Sequence, residues 1–185
     1  MLRLLRGLGL IAVILASTQV AAKADPCGAA IERAARLTGV PVSLLRAIGE
    51  VESGVQLGER RVAWPWAVND GRSLFFRNRA AAAAHVDALV AAGKSNVDIG
   101  CLQVNWHWHG EAFDAPADML DPAANALYAA RYLAALRREL GSWAAAVSAY
   151  HSRRETRAGA YRCRVASRLR PELRPSDCGQ HRRAL

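Results

Sequence analysis

Beyond residue 25, apolar residues recur three and four positions apart through most of the chain, which is the period of a helix with one buried face. Over 42–52, Leu44, Leu45, Ile48 and Val51 form such a stripe, and Pro41 stands at the first turn, where a helix tolerates it. A shorter helix is predicted over 29–37, followed by Gly39, the residue type that most readily adopts a left-handed cap. The Ala-rich stretch 79–92 carries Val86, Leu89 and Val90 and runs into Gly93. Asp121-Pro122 places a capping side chain before a proline at the first helical position. It opens the longest predicted helix, 122–140, with Leu127, Ala130, Leu133 and Leu136 on a broad apolar face. A short helix over 142–150 and a basic helical stretch over 161–169 follow, and the chain after Pro171 reads as irregular.

Two segments break the helical period. Residues 59–76 hold Trp64-Pro65-Trp66 and Asn69-Asp70-Gly71, which read as a loop or short hairpin, and 96–110 is a stretch of short elements dense in aromatics. Almost no two-residue alternation is visible anywhere. The pattern therefore predicts a mainly α, all-α or α+β, helical globule.

The first 24 of the 185 residues stand apart. Arg3 and Arg6 precede an apolar run over 7–16, and Ala22-Lys23-Ala24 ends the segment as a small-residue cleavage pattern. That run falls short of the ~20 residues a spanning helix needs, so it reads as a secretory signal and the mature protein as free of a membrane span. The expected organisation is a signal over 1–24, one domain over 25–152 and a basic extension over 153–185, in an exported, periplasmic protein.

Four cysteines, at 27, 101, 163 and 178, all lie in the mature part. An even count in an exported chain suggests two disulfides with three pairings open, of which Cys27–Cys101 with Cys163–Cys178 is preferred. The formal charge of +9 is unevenly placed. From Arg153 onward there are ten arginines against Glu155, Glu172 and Asp177, while 25–152 is close to neutral. A solvated tail meeting anionic lipid, wall polymer or a partner protein fits this better than nucleic acid, which an exported chain seldom meets.

Chemistry concentrates in two places. Glu50 and Glu52 end the second helix and stand about 200° apart around it, so they cannot share a face. On composition alone both read as surface charges. If Glu52 is instead buried at the helix mouth beside Ser53-Gly54, its pKa rises and it holds a proton near neutral pH. The second place is Asp98-Ile99-Gly100-Cys101-Leu102-Gln103-Val104-Asn105. Gln103 and Asn105 offer amides suited to sugar hydroxyls and N-acetyl groups, and Trp64, Trp66, Trp106 and Trp108 offer flat faces for pyranose rings or for core packing. His107, His109 and His151 match no familiar metal-ligand spacing, so neither a metal nor another cofactor is expected.

Glu52-Ser53, then Gly100-Cys101-Leu102-Gln103-Val104-Asn105, then Tyr150 closing a short helix, together resemble the lytic transglycosylases of the soluble-lytic-transglycosylase, goose-lysozyme-like family. Asp121-Pro122 with Asn125 is similar to the same family, and Asp98-Ile99-Gly100 resembles its small exported members that accompany secretion systems. The resemblance covers about 27–150. It implies a lysozyme-like, mainly helical fold that cleaves the MurNAc–GlcNAc β-1,4 bond of peptidoglycan and leaves 1,6-anhydromuramyl ends. Glu52 would be the single catalytic group, acid and then base, with the substrate's own N-acetyl oxygen replacing a second carboxylate. Ser53, Gln103, Asn105 and Tyr150 would orient Glu52 and the sugar, and Trp64, Trp66 and Trp106 would bind it. The basic tail would meet a secretion or envelope-spanning machine.

The chain departs from the family in carrying Tyr150-His151-Ser152-Arg153 where Tyr-Asn-x-Gly is common, and Val55 where an aromatic is frequent. Alternatives are a hydrolytic muramidase on the same fold and a catalytically idle wall-binding or assembly module.

Overall fold

The computed structural model describes residues 25–169 and Cys178. The signal expected over 1–24 lies outside the described residues. Mainly α architecture is observed: seven α-helices and six short strands among the described residues. The helices are α1 (Pro26–Thr38), α2 (Val42–Glu52), α3 (Arg79–Ala91), α4 (Trp106–His109), α5 (Pro122–Leu140), α6 (Trp143–His151) and α7 (Glu155–Ala166).

Local chemistry places the ends of α2, α3 and α5 within a residue of where the residues predict them, whereas α1 begins at Pro26 rather than 29 and α7 at Glu155 rather than 161. Asp25 caps α1 by accepting from the Gly28 amide at 2.8 Å, and Asp121 caps α5 by accepting from Ala124 at the same distance. Gly39 and Gly141 close these two helices at φ of 74° and 78°. α5 runs through the centre, packing against α1 and α6, while α7 packs against α6 and α2. Ile31, Leu45, Ile48, Leu120, Leu133 and Leu136 meet in one core. Leu45 and Ile48 are wholly buried and contribute about 1.5–3 kcal/mol each by leaving water. Among the described residues, no helix is long and apolar enough to cross a membrane.

The strands depart from the single loop or hairpin expected over 59–76. β1 (Gly54–Leu57) pairs antiparallel with β2 (Arg60–Ala63). β3 (Ala67–Asn69) pairs with β4 (Ser73–Phe75) around Asp70-Gly71. β3 also pairs with β5 (Asp98–Ile99), and β5 with β6 (Val104–Asn105), giving a sheet of order β4-β3-β5-β6. Strands of two to four residues are too short for alternation to show in sequence.

The preferred disulfides, Cys27–Cys101 and Cys163–Cys178, are both formed. The first ties α1 to the turn between β5 and β6. The basic extension expected from 153 onward begins with α7, which is built into the body: Ala158, Tyr161, Val165 and Ala166 are buried.

Candidate functional site

The β5–β6 turn explains the spacing of the second sequence segment. Gly100 stands at φ +84°, with Met119 O and Asn125 Nδ2 only 2.5 and 2.6 Å from where a Cβ would lie, so a side chain has no room there. Gln103 is the one non-glycine residue with positive φ among those described, at 47°, and its amide closes the turn on Gly100 O at 3.2 Å. Such backbone strain clusters at functional sites and persists only where the surroundings hold it. Asn125, fully buried on α5, does the holding. Its side chain accepts from the Leu102 amide at 2.9 Å and donates to Ile99 O at 2.8 Å and Met119 O at 3.0 Å.

Asp98 and Asn105 are partners across the hairpin. The Asn105 amide donates to Asp98 Oδ1 at 2.7 Å and to Asn96 Oδ1 at 2.9 Å, while its own oxygen caps α4 at Trp108 N. Gln103 donates its amide nitrogen to Ala67 O and Gly100 O at 3.1 and 3.0 Å, which leaves its carbonyl oxygen for a ligand.

These residues line one groove of about 1350 Å³, larger than the ~300–1,000 Å³ of ordinary small-molecule sites. Glu52 lies in it, at the last position of α2. Glu50 faces a separate cavity of about 300 Å³ among Arg46, Arg60 and Arg61, as their angular separation on the helix requires.

Ser53 is buried behind Glu52. Its hydroxyl donates to Cys101 O at 2.6 Å and accepts from Trp64 N at 3.0 Å, so it ties the end of α2 to the β5–β6 turn rather than facing the groove. Tyr150 does line the groove, and its hydroxyl donates to Leu102 O at 2.8 Å. Hydrogen bonds thus pin α2, α5 and α6 to the same four-residue turn, to which the Cys27–Cys101 disulfide also ties α1.

The Glu52 carboxyl has a partner that sequence reading missed. Tyr161 of α7, 109 residues away and 1% exposed, donates its hydroxyl to Glu52 Oε1 at 2.5 Å. With Oε1 accepting, the proton of the neutral acid is left for Oε2. Burial pushes the Glu52 pKa up to about 7, opposed by the Tyr161 hydrogen bond, aided by the charge of Asp98 and opposed again by Arg164. Burial also raises Asp98, against its hydrogen bond from Asn105. Burial and the charge of Glu52 push both the Tyr150 and Tyr161 hydroxyls well above the ordinary phenol range, so both keep their protons as donors.

Of the expected site residues, Glu52, the expected catalytic group, comes together with Gln103, Asn105 and Tyr150 of the expected binding set. Trp64, Trp66 and Trp106 do not line the groove. Trp64 donates its indole N–H to Phe76 O at 2.8 Å and meets Trp66 edge-on at 5.5 Å, and both Trp66 and Trp106 pack on the core. The tryptophan that lines the groove is Trp108, 73% exposed. Asp98 is the second carboxylate there; the sequence set it in the same segment as Gln103 and Asn105, but its partnership with Asn105 becomes readable only once the hairpin register is known.

His107 and His109 also line the groove, bonded through Nδ1 to Ser95 Oγ at 3.0 Å and to the Tyr128 hydroxyl at 2.9 Å, while His151 stacks on Tyr161. Among the described residues, no group of three His, Cys, Asp or Glu is placed to hold a metal ion.

Chemically, the arrangement is a desolvated carboxylic acid, half protonated near neutrality, in a groove of about 1350 Å³ lined by amides, hydroxyls and a second carboxylate. Compared with models of known protein families, with curated proteins and with solved structures, the chain matches none.

Proposed function

We propose that the protein is an exported peptidoglycan lytic transglycosylase with a lysozyme-like fold. The observation that carries this reading is Glu52, its pKa near 7 and its carboxyl held by Tyr161, in a groove lined by Gln103, Asn105 and Tyr150. In this mechanism neutral Glu52 gives its proton to the glycosidic oxygen as the C1–O bond breaks. The resulting carboxylate then takes the proton of the muramyl 6-hydroxyl, whose oxygen closes on C1 to leave a 1,6-anhydro end. A pKa matched to the working pH suits a group that must serve as acid and then as base. The resemblance of Glu52-Ser53, Gly100-x-x-Gln103-x-Asn105 and Tyr150 to the family supports the same reading.

One observation favours a second reading. Asp98 lies in the groove with Glu52, and its charge acts on the Glu52 carboxyl. A carboxylate placed there could take a proton from an attacking water, which would make the enzyme a hydrolytic muramidase. Mass spectrometry of digested sacculi separates the two. Anhydromuramyl ends that persist in Asp98→Asn and vanish in Glu52→Gln support transglycosylation. Reducing ends that vanish in both variants would replace it with hydrolysis, and sacculi left intact by the wild-type chain would sink both.

A further inference from the structure

The groove has two unlike walls. One, from the β-sheet side, presents amides and hydroxyls, among them Asn69, Ser73, Asn96 and Gln103, together with Asp98. The other is built where α6 meets α7, at the point where the chain carries His151-Ser152-Arg153-Arg154, and it adds Arg164 from α7.

The three arginines of this wall are not equivalent. Arg153 is held by Glu139, which accepts from both of its terminal nitrogens at 2.7 and 2.9 Å, so its charge is neutralised. Among the described residues, no carboxylate forms an ion pair with Arg154 or Arg164, and both are exposed. Arg164 is held in place by stacking over the Tyr161 ring, 5.6 Å from its centroid. Arg164 acts on the Glu52 carboxyl through its charge, which lowers the Glu52 pKa, but the two form no ion pair, and Glu52 Oε1 is taken by the Tyr161 hydroxyl. Asp98 stands on the sheet side, bonded to Asn105.

Two cations without a carboxylate paired to them, on one wall of a concave site, attract and orient anions. The amino-sugar backbone of a glycan strand is uncharged. Its carboxylates are carried on the 3-O-lactyl arm of the muramyl residue, as the free lactyl acid or along an attached peptide.

We infer that Arg154 and Arg164 form a carboxylate subsite for the lactyl arm, so that the groove selects charged strands over neutral ones. The inference rests on the reading of the groove as a peptidoglycan site. The sheet-side amides then meet the sugar, and the α6–α7 wall meets its acidic substituent.

The test is a binding measurement in the Glu52→Gln background, which prevents turnover. Three soluble strands serve as probes: peptide-bearing, amidase-stripped with free lactyl acids, and stripped with those acids converted to amides. Peptide-bearing strands should bind about tenfold tighter than amide-capped ones at low salt, with the preference shrinking as salt rises. Arg154→Ala with Arg164→Ala should abolish that ratio, and the paired Lys substitutions should keep part of it. A preference shared by the stripped, free-acid strands identifies the lactyl carboxylate itself as the ligand, and one confined to peptide-bearing strands identifies the peptide. A ratio unchanged by the Ala pair overturns the subsite. Failure of the underlying reading is scored separately, by wild-type chain that releases neither anhydro nor reducing ends from sacculi.

Discussion

Replacing Glu52 by Gln should stabilise the protein above pH 7 while removing its activity. The carboxyl has a pKa of about 7 in the folded chain against an ordinary glutamate value of 4.5. Because the folded value is the higher one, folding favours the protonated form. The penalty is absent below about pH 4.5, grows as pH rises, and is complete once pH passes 7. The gap between the two values corresponds to about 3 kcal/mol. Glutamine is neutral at every pH, has nearly the same volume, and keeps an oxygen to accept from Tyr161. The difference in unfolding free energy between Glu52→Gln and wild type should therefore be near zero at about pH 4. It should approach about 3 kcal/mol in favour of the variant at about pH 8. Urea unfolding with the disulfides intact, at about pH 4, 6 and 8, measures it, provided the two chains share the same m value. Taking the difference cancels the titrating groups that do not interact with Glu52; Asp98, whose charge acts on it, is not among them. A gain that is absent, or equal at all three pH values, would mean that Glu52 is an ordinary solvated carboxylate and no poised acid.

Tyr161→Phe removes a donor that favours the charged form of Glu52, so the alkaline limb of the activity profile should move to higher pH. Turnover should also fall about tenfold, since a hydrogen bond to a charged group contributes about 1.5–3 kcal/mol and here fixes the carboxyl; an unmoved pH profile would show the bond to be incidental. Ending the chain after Ser152 removes Tyr161 and Val165 from the core and should cost more than about 4 kcal/mol of stability and nearly all turnover on soluble strands. A truncated chain that kept its activity would show that α7 docks on the body without serving the acid.

Most of the helices were legible in the residues because the forces that set them act within one turn, although the start of α1 at Asp25-Pro26 and the bounds of α7 were misplaced. Asp25, Asp121, Gly39 and Gly141 do their work on amides and carbonyls three or four residues away. The separation of Glu50 from Glu52 was equally local, a matter of helical angle. The preferred cysteine pairing also agrees with the structure. The tryptophans were not legible. Trp64, Trp66, Trp106 and Trp108 have similar apolar surfaces, and which of them faces a groove depends on how hairpins and helices stack.

The chain by itself therefore determined a mainly helical body, the position of Glu52 at a helix mouth, and the grouping of Gln103 and Asn105 in one short segment after Gly100. Tertiary structure alone decided that Tyr161 would hold the Glu52 carboxyl, that Asp98 would share its groove, and that α7 would form a wall of the site. The physical reason is range. Capping and helical periodicity are read over about four residues, whereas a partner 109 residues away is chosen by packing, which no local pattern encodes.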